Sequence, residues 1–239
     1  MFLHGSAIGD KVQSLYVHDN VSVTTIIPEL SLHWNSLEWC HVERCPKMHN
    51  VFSRSVGFNT FNSIRIFSAS DILMAHCIWS RHIGHHCGLQ HIYLHNCPRL
   101  VFVLPISSIL PNLETIQIAY CRNIQHIFRL YQNHRRIACG VTFKKLRHIK
   151  LYHLHKLEQI CEVRLYAPAL ETVSLRGCWG LRRLPVVSRE GLKPVPDCEK
   201  DRWDRLEWDG SKANHESSLF ETRHSAHYKK ILPRVSVFR

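Results

Sequence analysis

Apolar residues recur along the chain at a fixed set of offsets. In LETIQIAYCRNI they fall at Leu113, Ile116, Ile118, Cys121 and Ile124, and in LETVSLRGCWGL at Leu170, Val173, Leu175, Cys178 and Leu181. The same skeleton reads as Leu37, Cys40, Val42, Cys45, Met48, as Leu89, Ile92, Leu94, Cys97, Leu100, and as Leu146, Ile149, Leu151, Leu154, Leu157. Two weaker copies are Val12, Leu15, Val17, Asn20 and Phe61, Ile64, Ile66, Ala69, Ile72. The units start near residues 12, 37, 61, 89, 113, 146 and 170, so successive starts lie 24–28 residues apart except for one spacing of 33. Self-similarity at such a period is the signature of stacked repeats.

The second and third anchors of each unit are two residues apart, as in Ile92-Tyr93-Leu94, so both side chains point to one face of a short strand. One unit has too little apolar area to fold alone, and stacking strand beside strand buries a continuous core. The predicted fold class is an α/β repeat solenoid, a leucine-rich-repeat horseshoe with a curved parallel β-sheet on its concave face, an irregular convex side and a C-terminal cap. Repeats are expected over residues 1–184, and a capping segment and basic tail over 185–239. Pro185, Pro194 and Pro196 are expected to end the strand ladder, because proline lacks the donor a ladder needs. Trp203, Leu206 and Trp208 have the spacing of a short amphipathic turn that covers the open end of the core.

The ninth position of each unit sits where the chain leaves the strand and its backbone groups lose water. Cys45, Cys97, Cys121 and Cys178 occupy it, as a compact, weakly polar side chain suits a buried turn. Asn20 fills it in the first unit, and Ala69 and Leu154 break the column. Ten cysteines in 239 residues are too few and too scattered for a disulfide scaffold, which points to a reducing compartment. No run of about 18 uncharged apolar residues is present to span a membrane. The opening MFLHGSAIGDK makes a poor signal peptide.

The Cys-Pro continuations CPKM and CPRL, the phrase LQHIYLHNCPRL, the segment LEQICEV and the tail EKDRWDRLEWDG resemble the C-terminal leucine-rich repeats of plant nucleotide-binding disease-resistance proteins, especially those of grasses. That resemblance implies a non-enzymatic recognition module of an intracellular immune receptor. It implies sensing of a pathogen effector or modified host protein and restraint of a nucleotide-binding domain, in the cytoplasm and also in the nucleus or peripherally at the plasma membrane. ADP or ATP would bind only that other domain, since no G-x-x-x-x-G-K-[ST] loop is present here. The chain is therefore expected to be a fragment, a truncated product or a repeat-only relative. The alternative is a leucine-rich-repeat adaptor or the substrate-recognition solenoid of an F-box protein.

Candidate contacts are the outward positions of the predicted strands. The alignment puts Trp39, His41, Arg65, His91, Tyr93, His95, Lys150, Tyr152 and Arg176 there, with Ser63 and Phe67 beside Arg65. Aromatic and cationic side chains are favoured interface anchors. The total of 31 Lys and Arg against 19 Asp and Glu gives a formal charge of +12. No acidic residue occurs between Glu114 and Glu158, whereas Arg122, Arg129, Arg135, Arg136, Lys144, Lys145, Arg147, Lys150 and Lys156 do. Such a band attracts acidic partners; nucleic acid is not the expected one. Cysteines and histidines crowd the segment Cys77–Cys97, but their spacing does not match a structural zinc site. No catalytic motif is present.

Overall fold

The computed structural model of the chain describes residues 11–26, 36–52, 63–79, 88–106, 110–130 and 140–222. Fifteen short strands follow one another: β1 (Ser14–His18), β2 (Trp39–Glu43), β3 (Asn50–Phe52), β4 (Ile66–Ser70), β5 (Cys77–Trp79), β6 (His91–His95), β7 (Leu104–Ile106), β8 (Thr115–Ala119), β9 (His126–Leu130), β10 (Val141–Thr142), β11 (His148–Tyr152), β12 (Gln159–Cys161), β13 (Leu165–Tyr166), β14 (Thr172–Arg176) and β15 (Val195–Asp197). Eight of them form one parallel sheet in the order β1-β2-β4-β6-β8-β11-β14-β15. This is a leucine-rich-repeat solenoid. The other side is more regular than the periodicity indicates, with parallel ladders β3-β5, β7-β9-β12 and β10-β13. Helix among the described residues is limited to α1 (Lys200–Trp203) and two 3-10 turns.

The repeat anchors form the core. Leu37, Ile92, Leu113, Ile116, Ile149, Leu151, Val173 and Leu175 are all fully buried. The third unit, however, is set three residues later than the apolar alignment placed it. Trp39 pairs with Ile66, Cys40 with Phe67 and Val42 with Ala69, so the unit is Ile64, Phe67, Ala69, Ile72 and Ala75. Phe67 is fully buried, its ring tilted against Phe52 at 5.7 Å and edge-on to Trp79 at 4.8 Å. Ile72, rather than Ala69, takes the ninth position. Arg65 then aligns with Glu38 and leaves the sheet face, its guanidinium 3.8 Å from the Glu38 carboxylate. The shift also evens out the spacing, since unit three now starts at Ile64; Phe61 lies outside the described residues.

The ninth-position thiols hydrogen-bond back onto the strand they end and, for Cys178, also onto the strand beside it. Cys45 donates to the Glu43 carbonyl at 3.3 Å, Cys97 to His95 at 3.5 Å, Cys121 to Ala119 at 3.5 Å, and Cys178 to Leu151 and Arg176 at 3.4 and 3.5 Å. The Cys97 amide donates to the Cys121 sulfur at 3.4 Å. Asn20, exposed at the end of the stack, accepts from the Ser22 and Val23 amides instead. Burial pushes the thiols of Cys40 and Cys161 up to about 12 and those of Cys178 and Cys198 up to about 11. At pH 8 their thiolate fraction is on the order of one in a thousand or less, and the thiolate is the reactive form. Alkylation of the native protein at pH 8 followed by mass mapping is therefore expected to find no label on these four cysteines, with all of them labelled in denaturant.

Just before each ninth position the backbone turns left-handed. Asp19, Arg44, Asp71, Asn96, Tyr120 and His153 have φ between 48° and 59°, and Gly177 has φ 63°. A non-glycine residue in this conformation costs about 1–2 kcal/mol. The cost is offset by a ladder in which each such amide donates to the next unit: Arg44 to Ser70 at 3.1 Å, Asn96 to Ala119 at 2.9 Å, Tyr120 to Tyr152 at 2.9 Å, His153 to Arg176 at 2.6 Å.

The strand ladder does not stop at the prolines. β15 pairs with β14, matching Thr172 to Val195, Val173 to Pro196 and Ser174 to Asp197. The Val195 amide donates to the Glu171 carbonyl at 2.8 Å, so alternate residues face β14 and the donorless nitrogen of Pro196 faces the outer edge of the sheet. Buried Cys198 continues the core column. Trp203, Leu206 and Phe220 are buried on that core, with Trp203 5.3 Å from Trp208 and 5.8 Å from Phe220. The basic tail beyond residue 222 lies outside the described residues.

Candidate functional site

In register, the outward residues of the eight-stranded sheet form three rows. The first runs Ser14, Trp39, Ile66, His91, Thr115, His148, Thr172, Val195; the second Tyr16, His41, Ser68, Tyr93, Gln117, Lys150, Ser174, Asp197; the third His18, Glu43, Ser70, His95, Ala119, Tyr152, Arg176. Seven of the sequence-predicted contact residues other than Arg65 stay on this face as expected: Trp39, His41, His91, Tyr93, His95, Lys150 and Tyr152. Arg176 also lies on it, but its guanidinium is turned along the sheet, donating to the Asp197 carboxylate at 2.6 Å and carbonyl at 3.0 Å. Ile66, Ser68 and Ser70 take the places the sequence alignment gave to Ser63, Arg65 and Phe67, which leaves a small polar strip between two aromatic groups.

The first of those groups is built on β1 and β2. Tyr16 lies 4.6 Å from His18, 4.8 Å from His41 and 6.3 Å from Trp39, and Trp39 stacks on His41 at 5.9 Å. Tyr16 is 48% and Trp39 36% exposed, a large apolar area left facing water. The Tyr16 hydroxyl donates to Glu43 at 2.7 Å, which holds the Glu43 carboxyl below its ordinary range and raises the tyrosine. Arg44 brackets Asp19 with two hydrogen bonds and depresses its carboxyl further. The second group is β6, where His91 stacks on Tyr93 at 6.1 Å and the His91 Nδ1 has no hydrogen-bond partner among the described residues. Tyr16 was legible as an outward position; its partnership with Glu43 and Trp39 appears only when units 25 residues apart are set side by side.

The basic band does not form one patch. A solenoid carries sequence neighbours around its circumference, so Arg122 lies in the turn after β8, Arg129 on β9, and Lys144 and Lys145 in the turn before β11. Arg129 faces Glu162 at 3.7 Å and covers the Phe102 ring at 5.5 Å, Arg147 pairs with Glu171 at 3.3 Å, and Lys145 donates to Asn112 at 2.9 Å. Arg135 and Arg136 lie outside the described residues. Of the cysteine and histidine cluster, Cys77 donates to Asn50 at 3.3 Å on the opposite side from Cys97, and no group of three metal-ligating side chains occurs among the described residues. No described helix is long and apolar enough to cross a membrane.

A family model described as plant disease resistance protein RPS2-like, leucine-rich repeats, matches residues 63–190, just over half of the chain. Disease resistance protein At4g27190 of Arabidopsis thaliana is 32% identical over 127 residues, covering 52% of this chain and 12% of that protein. Disease resistance protein RPS5 of the same plant is 26% identical over 103 residues, 41% of this chain and 12% of its own length, and probable disease resistance protein At4g27220 is 28% identical over 82 residues, covering 34% of this chain and 9% of its own length. No solved structure matches. The chain thus spans about a tenth of the length of these curated relatives. Repeat regions of this kind are generally non-catalytic and mediate protein interaction. With its solenoid and its cysteine-marked repeats, the chain belongs to the RPS2-like leucine-rich-repeat family of plant disease resistance proteins.

Proposed function

We propose that the chain is a non-enzymatic recognition module of plant defence whose sheet face binds a protein, either a pathogen effector or a host protein the pathogen has altered. The observation that carries this reading is the exposed ring cluster of Tyr16, Trp39 and His41 with Tyr93 two strands away, rigid aromatic area left uncovered on a regular sheet. Large, stiff side chains of this type anchor interfaces at modest entropic cost. The same face serves in restraint of a nucleotide-binding domain in the complete receptor, which is where ADP or ATP is held. The receptor works in the cytoplasm, with nuclear and membrane-peripheral pools. The likeness to disease resistance proteins favours this reading over an F-box solenoid.

The test is quantitative interaction profiling in pathogen-challenged leaf tissue with the tagged chain and its Trp39→Ala/Tyr93→Ala variant. Both substitutions are on the sheet face, so circular dichroism should stay unchanged. Loss of at least about tenfold in recovery of one defined partner is expected, in line with removal of two interface anchors. Equal recovery by both proteins would move the contact off this face.

A further inference from the structure

The turns that follow the face strands form a rim, and the second half of this rim has a composition the face does not share. In the register of the stack, Asn96-Cys97-Pro98-Arg99, Tyr120-Cys121-Arg122-Asn123, His153-Leu154-His155-Lys156 and Gly177-Cys178-Trp179-Gly180 lie one above another. The Asn123 amide confirms the alignment by donating to the Pro98 carbonyl at 2.8 Å. These four turns contain no carboxylate. Arg99, Arg122 and Lys156 are exposed, and none has an ion-pair partner among the described residues. Adjacent units are spaced by about 4.8 Å, the separation of parallel strands, so the three cations span roughly 10 Å.

The cationic strip runs into a groove. A cavity of about 490 Å³ opens at its end, walled by Tyr120, Tyr152, His153, His155 and Trp179. Tyr120 is stacked on His153 at 4.9 Å and stays 44% exposed, and Trp179 is 47% exposed. Two large aromatic side chains are thus held open to water on either side of one groove, whereas every described phenylalanine except Phe102 is buried. Of the charged groups in the groove wall, Arg176 pairs with Asp197 and Glu199 accepts from the Gly177 amide through Oε1, while its buried Oε2 has no hydrogen-bond partner among the described residues.

We propose that this rim docks a short, extended acidic segment of a partner protein, its carboxylates on Arg99, Arg122 and Lys156 and one aromatic or aliphatic side chain in the groove between Tyr120 and Trp179. The assignment rests on the reading of the chain as a protein-recognition module and adds a second surface to it. Charge complementarity sets the ligand's sign, since every exposed charge in the four turns is positive. The ends of the strip set its length. Asp71 stands in the preceding turn and Glu199 in the far wall of the groove, so a carboxylate bounds the strip at either end and the groove itself favours an uncharged side chain over a further carboxylate. A peptide of a few acidic residues around one apolar anchor fits between them.

The experiment measures fluorescence anisotropy of a short synthetic peptide of glutamates flanking one phenylalanine, titrated with the full chain at low and at physiological salt. Binding that weakens with salt is expected, with at least about a tenfold loss of affinity for Arg99→Glu/Arg122→Glu/Lys156→Glu and a clear loss for Trp179→Ala. Reversal of Lys144 and Lys145, in turns before the strands, is expected to leave the affinity within about twofold. An equal loss from both reversals, tighter binding of a single-stranded oligonucleotide or an anionic vesicle than of the peptide, or no binding at low salt would overturn the proposal. The partner capture that tests the sheet face is read with the same reversal variant. A partner lost on Trp39→Ala/Tyr93→Ala but kept on rim reversal removes the rim and leaves the recognition reading standing.

Discussion

Replacing Phe67 by alanine should lower the unfolding free energy by about 4 kcal/mol, while Ile66→Ala should cost less than about 1 kcal/mol. Phe67 is fully buried between Phe52 and Trp79, and truncation removes both ring contacts and opens a cavity where three units meet. A solenoid has only nearest-neighbour interfaces, so the loss is not shared out over a large core. Ile66 is half-buried on the sheet face between Trp39 and His91, where a smaller side chain leaves no enclosed void. The apolar alignment read from the sequence makes the opposite forecast, because it puts Ile66 inside and Phe67 outside. Urea unfolding followed by far-ultraviolet circular dichroism separates the two registers. A large loss for Ile66→Ala with a small one for Phe67→Ala would restore the earlier register and return Arg65 to the face.

The third unit differs from the others in that its apolar residues fit the repeat in two registers. Five units carry Leu at the first anchor and two branched or sulfur-bearing residues at the next two, and these are set in the sheet as the pattern predicts. The third unit offers Phe61, Ile64, Ile66 and Ile72, an apolar series that fits the template in one register, and Ile64, Phe67, Ala69, Ile72 and Ala75, which fits it in another. Periodicity alone cannot choose between them. The choice is made by backbone pairing, through the Ile66 amide donating to the Glu38 carbonyl at 3.0 Å, and by the rings that close around Phe67.

Other features were hidden for a different reason: they are made by residues one repeat apart. The left-handed column holds Asp, Arg, Asn, Tyr, His and Gly, and no residue type shared by Asp19, Tyr120 and Gly177 marks it; the shared property is an amide that reaches the next unit. The basic band is the converse case. Arg122, Lys144 and Arg147 are near in sequence yet lie on different sides of one turn of the solenoid, whereas Arg99, Arg122 and Lys156, far apart in sequence, fall on one rim. The continuation of the ladder through Pro196 follows from which edge its nitrogen faces, a matter of strand parity that a proline count does not contain.

The second large effect is expected where the cap closes on the last repeat. His215 is 2% exposed and bridges the two: its Nδ1 accepts from the Asp209 amide at 3.2 Å, so Nε2 carries the proton and donates to the Leu184 carbonyl at 3.1 Å. Gly210, with φ 88°, and left-handed Asn214 fold the loop that returns His215 to Gly210 in an antiparallel bridge. Truncation to alanine takes the ring partner from the Asp209 amide and the Leu184 carbonyl, at the wall of a cavity that Leu184, Asp209 and His215 line, and removes the ring beside Trp208, 5.1 Å away; a loss of about 2 kcal/mol is expected. Burial is the main influence on the imidazole and lowers its pKa below the ordinary value of 6.5. Asp209, 3.3 Å from Nδ1, opposes that shift, but its carboxylate already receives Arg164 at 2.8 Å and Arg183 at 3.1 Å, and both cations reinforce the lowering. The folded state therefore holds a neutral ring that the unfolded chain would protonate near pH 6.5. Stability from this group is complete above that pH and declines as the pH falls towards the lowered folded value, by at most about 1.4 kcal/mol per pH unit. His215→Gln keeps a donor for Leu184 and cannot titrate. Its stability should be lower than the native chain's at pH 7.5 and should fall less steeply towards pH 5.5, the other histidines contributing alike to both proteins. Parallel pH profiles for the two would show that His215 stays uncoupled from folding and that the cap is held by its tryptophans alone.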